Sequence, residues 1–203
     1  MATIGIIHYG MGNITSVKNA CEFLRIPHVI AEVPAQLASA THIIIPGVGA
    51  FAEGMRQLRD RGFLPSIHDA ATEKKKPLLG ICLGMQLFAT TGEEGGETPG
   101  LDLIPGRVRR LPDTGLRIPH VGWNTVTPIR ENPLLATPKD AYFVHSYYIE
   151  PVDPLTVAAK TEYGISFPSM IRLGHIFGTQ FHPEKSHAAG LDILFQFSRI
   201  SVC

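Results

Sequence analysis

The sequence predicts an α/β protein: an open, mostly parallel sheet with helices on both faces, and an antiparallel, β-rich extension in the C-terminal half. Three observations predict it. In the first half, short apolar runs alternate with stretches of helical periodicity. Glycine-rich turns follow three of those runs, after Tyr9, Ile45 and Ile81. From about Glu93 the helical periodicity stops, and short strand-like runs separated by turn residues take over. Strands separated by helices form parallel sheets covered on both faces, whereas strands joined by short turns pair antiparallel. At 203 residues and 44% hydrophobic content, the chain has the size of one domain, expected over residues 1–203.

Taken in order, Thr3–His8 is a short apolar run that reads as a buried strand. Gly10-Met11-Gly12-Asn13 turns the chain, and Ile14, Val17, Cys21 and Leu24 then recur at the spacing of one helix face. Val29–Val33 is a second strand, Pro34–Ala40 a short helix, and His42–Ile45 a third strand ended by Pro46-Gly47-Val48-Gly49. Ala52–Arg61 and Leu64–Lys74 read as helices; Lys74-Lys75-Lys76 is a solvated helix end before Pro77. Leu78–Ile81 is a fourth strand, and a helix starts at Met85–Ala89. This alternation is that of a doubly wound, flavodoxin-like sheet, in which ligands bind at the carboxyl ends of the strands. In the second half, Val108–Leu111, Trp123–Ile129, Tyr142–Ile149, Thr156–Thr161, Phe167–Leu173 and Ile176–Phe181 read as strands expected to extend the same sheet. Glu162-Tyr163-Gly164 and Leu173-Gly174 are hairpin turns, and Leu191–Ile200 is a closing amphipathic helix.

Composition excludes several function classes. Lys plus Arg and Asp plus Glu both number 18, so there is no basic excess to neutralise phosphates, and no nucleic-acid partner is expected. No apolar run has the length of a membrane span, and the first ten residues lack the basic and apolar regions of a signal peptide. The three cysteines, Cys21, Cys82 and Cys203, are odd in number and far apart, which is neither a disulfide framework nor a zinc site. No histidine spacing suits a metal. A thiol-reduced, cytoplasmic protein without metal or cofactor is the expectation.

The most informative stretch is Gly80-Ile81-Cys82-Leu83-Gly84. It follows a buried strand and precedes a helix, which is the G-x-nucleophile-x-G elbow with cysteine at the centre. The glycines suit a tight turn, and a helix N-terminus behind the sulfur favours its thiolate. The Leu83 N–H points to where an acyl oxyanion would form. Cysteine is also among the most buried residue types, and Cys21, set in the apolar face of its helix, reads as core. Cys203 is terminal and reads as inert.

A thiol nucleophile needs a base and the base an orienting group. His182-Pro183-Glu184 follows a strand, and extended residues two apart project to one side, so Glu184 holds one imidazole nitrogen while the other faces the thiol. In isolation this pair also fits a surface His and Glu at a strand end. His145 stays open; the remaining histidines read as surface or satisfied core residues.

Gly80–Gly84 together with His182-Pro183-Glu184 resemble the triad-type glutamine amidotransferases, whose glutaminase domains carry a Cys-His-Glu triad on an α/β fold. Further segments occur in order: Tyr9-Gly10-Met11-Gly12-Asn13, Pro46-Gly47-Val48-Gly49-Ala50-Phe51, Met85-Gln86, His120-Val121-Gly122-Trp123-Asn124, Tyr142-Phe143-Val144-His145-Ser146-Tyr147 and Lys185-Ser186. Over nearly the whole chain these are similar to the glutaminase subunits of imidazole glycerol phosphate synthases. One departure is His8, where such chains usually carry Asp.

The resemblance implies hydrolysis of L-glutamine through a thioester on Cys82, with His182 as base and Glu184 as its orienter. It implies Leu83 N–H as one oxyanion donor and the loop of Val48 and Gly49 as the source of the second, through a peptide that turns. Gln86 is implied at the substrate, with Glu94, Ser146 and Tyr147 as further substrate candidates. Asn13, Trp123 and Lys185 are implied to face a cyclase subunit of (β/α)₈ fold in a heterodimer, which receives the ammonia.

Three rival readings stay open on sequence. Gly10-Met11-Gly12 after a strand, with Glu32 at the end of the next, suggests dinucleotide binding, but Thr15 stands where the third glycine belongs. A cysteine peptidase, or a non-catalytic elbow cysteine, fits the Cys82 turn alone. Within the superfamily, the glutaminase subunit of pyridoxal phosphate synthase is the nearest rival, and the Trp123 and Lys185-Ser186 segments speak against it.

Overall fold

The computed structural model describes residues 2–201. Cys203, read as inert, lies outside the described residues. The first half follows the expected alternation: β1 (Ile4–Ile7), α1 (Ile14–Phe23), β2 (His28–Ala31), a 3₁₀ turn at Pro34–Ser39, β3 (His42–Gly47), α2 (Phe51–Asp60), α3 (Phe63–Thr72), β4 (Leu78–Cys82) and α4 (Leu83–Gln86). The second half holds β5 (Ala89–Gly92), β6 (Thr98–Pro99), β7 (Ile104–Arg110), β8 (His120–Pro128), β9 (Lys139–His145) and β10 (Tyr147–Pro151). It continues through β11 (Val157–Tyr163), β12 (Ile165–Leu173) and β13 (Ile176–Thr179) to α5 (His187–Ser198).

Nine strands form one sheet in the order β2-β1-β3-β4-β13-β12-β11-β8-β9. The first five are mutually parallel and the rest antiparallel. The parallel part has the doubly wound order expected of a flavodoxin-like sheet, with β13 as its fifth strand. β1, β3, β4 and β13 are buried along their whole length because helices cover both faces. Period-two alternation sorts their side chains between two cores. Ile7, Ile43, Ile45 and Leu78 pack with Phe51, Met55 and Phe63 of α2 and α3; Ile4, Ile6, Ile44 and Leu79 pack with Val17 and Cys21 of α1 and Leu194 and Phe197 of α5. Cys21 is therefore a core residue, as its spacing predicts.

Three expectations are corrected. The β-rich half does not all extend one sheet: β10, β7, β5 and β6 form a separate four-stranded sheet whose Val108 and Ile149 close the core over α4. Tyr142–Ile149 is not one strand; it breaks at Ser146, β9 pairing with β8 and β10 with β7. Alternation records which face is buried, not which strand is the partner, so one pattern runs through both. The helix expected over Met85–Ala89 ends at Gln86, and Ala89 starts β5. Leu87-Phe88-Ala89 is a short apolar run wholly buried between sheet and helix, where periodicity does not separate the two states. The two hairpin turns form as expected, with Gly164 and Gly174 at positive φ.

The turn after β4 is the tightest place in the fold. A Cβ on Gly84 would overlap the Ile45 carbonyl oxygen of β3, and one on Gly80 would lie 2.6 Å from the Gly84 carbonyl group. We therefore expect Gly84→Ala to lower stability by about 3 kcal/mol, since backbone rather than a flexible side chain must move. Gly95→Ala meets nothing within 4 Å at φ +72°, so it should cost only about 1 kcal/mol. Urea unfolding of both variants checks the ranking; equal losses would contradict it.

Candidate active site

β4 delivers Cys82 to the carboxyl edge of the parallel sheet, beside Gly47 of β3. Its backbone sits at φ 53°, ψ −109°, a conformation that is strained for an L residue and that the flanking glycines make possible. The side chain is nearly buried at 6% exposure. The thiol lies 3.9 Å from the Val144 carbonyl oxygen, to which it donates, and the Gln180 side-chain amide donates to the sulfur at 3.7 Å. The helix behind it is a single turn, so the aligned-dipole support expected for a thiolate is small.

His182 arrives from the other side. β13 pairs with β4 in parallel, and past Thr179 the chain bends at Gln180 and Phe181 to reach His182. The extended backbone expected over His182–Glu184 does not form: Pro183–Lys185 is a 3₁₀ turn, and it is this turn that brings Glu184 back to the imidazole. The His182 N–H donates to the Tyr142 carbonyl at 3.0 Å. Ser186 latches the turn: its hydroxyl donates to the His182 carbonyl at 2.6 Å and accepts from Tyr142 N–H at 3.0 Å. Imidazole Nδ1 donates to Glu184 Oε1 at 2.8 Å, with both side chains 2% exposed. Nε2 has no hydrogen-bond partner. Burial pushes this imidazole's pKa down, but the Cys82 sulfur and the Glu184 carboxylate together outweigh it and raise the value to about 9. The His–Glu pair is thus buried beside the thiol and is not a surface pair.

A cavity of about 430 Å³ opens at Cys82 and is lined by Cys82, Leu83, Val48, Gly49, Gln86, Glu94, His145, Ser146 and Tyr147, among others. Every oxyanion and substrate candidate read from the sequence therefore lines one space. Gln86 Nε2 donates to the Tyr147 carbonyl at 2.8 Å and to Gln180 Oε1 at 3.1 Å, leaving its own Oε1 as the acceptor. Glu94 accepts from Phe51 N–H at 2.8 Å and so caps α2 from outside it. His145, left open on sequence, is buried in the cavity wall. Its Nδ1 must donate to the Tyr147 carbonyl (2.9 Å), so its Nε2 accepts from His120 Nδ1 (3.1 Å), and His120 Nε2 accepts from Asn124 (3.3 Å). Burial depresses both rings, His145 to about 3 and His120 to about 4, so both are neutral at pH 7. His145 is a strut, not a second base.

The three candidates for a partner face lie outside the cavity. Asn13 caps α1 by accepting from Ser16 N–H at 3.1 Å. Lys185 lines a groove with Ser16, Asn19, Phe23 and His187. Trp123, half exposed on β8, stacks on His187 with ring centroids 4.9 Å apart. Sequence reasoning missed Gln180 and Ser186 as site residues. Gln180 stands two positions before His182, the same side-of-strand spacing that singled out Glu184, and that spacing was the available signal. His8, the departure in the first loop, lies 3.7 Å from Glu32 and away from the cavity lining. Among the described residues no cluster of potential ligands suits a metal ion, and no helix is long and apolar enough to cross a membrane.

Comparison with known proteins follows the same lines. Residues 7–200 match the family model for class-I glutamine amidotransferases. The chain is 47% identical to the imidazole glycerol phosphate synthase subunit HisH of Moorella thermoacetica, over 98% of this chain and 96% of that one. It is 48% identical to the protein of the same name from Symbiobacterium thermophilum, over 100% and 96%. Among solved structures, its fold is similar to that of a glutamine amidotransferase (TM-score 0.77, 19% identity, 97% and 99% covered). It is also similar to PurLQS from Thermotoga maritima (TM-score 0.75, 15% identity, 98% and 99% covered). With a cysteine elbow at the sheet edge and a matching family model over nearly its whole length, the chain belongs to the class-I glutamine amidotransferase family, alongside the HisH proteins of imidazole glycerol phosphate synthase.

Proposed function

We propose that this chain is the glutaminase subunit of an imidazole glycerol phosphate synthase, hydrolysing L-glutamine and passing the ammonia to a cyclase subunit in histidine biosynthesis. One observation carries the chemistry: a strained cysteine that lines a cavity has a buried His–Glu pair beside its sulfur. The HisH relatives supply the pathway.

In this reading the Cys82 thiol proton passes to His182 Nε2, and the sulfur attacks the carboxamide carbon of glutamine. The C=O electron pair moves onto oxygen, where Leu83 N–H and a peptide N–H from Val48 or Gly49 receive the charge. Collapse breaks the C–N bond, and His182 gives its proton to the departing ammonia. Water then adds to the thioester, with His182 taking one of its protons. The second collapse releases glutamate and returns the thiol. Glu184 holds the imidazolium throughout. Gln86 Oε1 accepts from the substrate, Glu94 supplies negative charge for its α-ammonium, and Ser146 and Tyr147 form the facing wall.

Ammonia released into water would be protonated and lost to the synthase, so a closed passage to a (β/α)₈ cyclase in a heterodimer completes the reading. Support comes from the face carrying Asn13, Lys185 and half-exposed Trp123, where Phe23 is 74% exposed. Gly12, next to Asn13, packs against Pro46 and Gly47 so closely that a Cβ there would lie 3.2 Å from the Pro46 carbonyl. Contact at Asn13 thereby reaches the loop of Val48 and Gly49, and partner binding biases which way its peptide faces. A cytoplasmic location goes with this pathway.

Three outcomes test the reading. Cys82→Ser should reduce glutamate release at least about 10⁴-fold, while Cys21→Ser, a core change, stays near the parent. Wild-type turnover by Cys82→Ser would sink the assignment. Second, the imidazolium held at about 9 should make kcat/KM fall as pH rises through 9. Glu184→Gln should lower kcat by roughly 10³-fold and move that descending limb to lower pH. The same raised value adds stability that is complete below 6.5 and lost as pH climbs through about 9. Third, the free chain should turn over glutamine at least about a hundredfold more slowly than its complex with cyclase and nucleotide. Equal kcat values would mean the oxyanion donors are already in place.

A further inference from the structure

We infer that Gln180 is a positioning residue for the nucleophile: its side-chain amide donates to the Cys82 sulfur, a contact that strengthens when the thiol proton leaves, and ties it to Gln86 in the cavity wall. The inference rests on the glutaminase reading above and deepens it.

Gln180 is wholly buried, immediately beyond β13. Its backbone N–H is tied to the Ser169 carbonyl at 2.9 Å, which fixes the start of the side chain. The orientation of its amide is determined by its neighbours. The Tyr147 carbonyl accepts only, so the Gln86 atom facing it is the nitrogen, and that nitrogen's second hydrogen goes to Gln180 Oε1. Gln180 Nε2 is thereby turned to the sulfur, 3.7 Å away.

The sulfur thus sits between opposed groups. The Val144 carbonyl, 3.9 Å away, accepts from the neutral thiol; the Gln180 amide donates and favours the anion. Hydrogen bonds to a charged partner are stronger than neutral ones, so the amide gains when the proton leaves. A one-turn α4 offers little dipole to do this instead. Because Gln86 both lines the cavity and orients Gln180, substrate contact at Gln86 is coupled to the sulfur through one amide.

The test is alkylation of Cys82 by iodoacetamide, followed on the Cys82 peptide across pH, beside steady-state glutaminase kinetics. Cys21 is buried, with its thiol pushed up to about 12, and does not compete. Gln180→Met keeps length and removes the donor. Alkylation at pH 7 should slow about tenfold, its rise should shift about one pH unit upward, and kcat should fall more than KM changes. Gln180→Glu, which keeps the acceptor and adds charge beside the sulfur, should slow alkylation at pH 7 further than Gln180→Met does. In the unaltered protein, the Gln180 side-chain NH₂ resonance should move on alkylation of Cys82. Alkylation rates and pH dependence equal to the parent in a folded variant, or an NH₂ signal indifferent to Cys82, would overturn the proposal. Alkylation needs no glutamine, so a parent that alkylates normally yet releases no glutamate would defeat the glutaminase reading and leave this one standing.

Discussion

The contact between the turn after β4 and the carboxyl end of β3 sets everything else at the cavity. Gly84 has its Cα directly against the Ile45 carbonyl, Gly80 has no room for a side chain beneath Gly84, and a Cβ on Gly47 would lie 2.6 Å from the Tyr9 hydroxyl. All three approaches are close and mostly backbone to backbone, so the turn has one way to pass. That path forces Cys82 to positive φ and aims its side chain at the strand ends. An ordinary side chain at any of the three glycines would push α4 away from β3 and change where the sulfur points.

Once the sulfur is placed, burial decides the charge of the groups around it. Three buried histidines stand near one another, and their pKa values are pushed in opposite directions. His120 and His145 have only neutral neighbours in their hydrogen-bond chain, and desolvation keeps them neutral. His182 is opposed by burial too, yet the sulfur on one side and a carboxylate on the other more than compensate. The site therefore concentrates its positive charge on the one imidazole beside the Cys82 sulfur.

The polar groups also form a directed chain. Asn124 donates to His120, His120 to His145, and His145 to the Tyr147 carbonyl; that carbonyl also accepts from Gln86, which donates to Gln180, which donates to sulfur. Each member fixes the tautomer or amide orientation of the next. The chain runs from β8, beside the Trp123 face, to the Cys82 sulfur without an unpaired step. In the His182–Glu184 pair, which stands outside it, Nε2 and Oε2 are buried without partners. The first is where a catalytic proton would rest.

The class of the fold and the three residues proposed as the triad are legible in the chain alone, because both are written in local terms. Apolar runs alternating with helical periods predict the parallel half, a cysteine between glycines predicts the elbow, and a His and a Glu two apart predict the pair, although a 3₁₀ turn and not an extended strand joins them. Hairpins at Gly164 and Gly174 are equally legible, since positive φ is a property of single residues. Which strands pair emerges only on packing, because burial patterns do not name a partner: hence the break at Ser146 and the second sheet. Packing also sets the extent of α4, where a run buried on every side carries no period. Gln180 and Ser186 join the site through partners 98 and 44 positions away, and His145 through one 25 away. A hydrogen bond between remote segments leaves no spacing in the chain, so Ser186 and His145 had to wait for the folded structure, and for Gln180 the spacing to His182 gave a position but no partner.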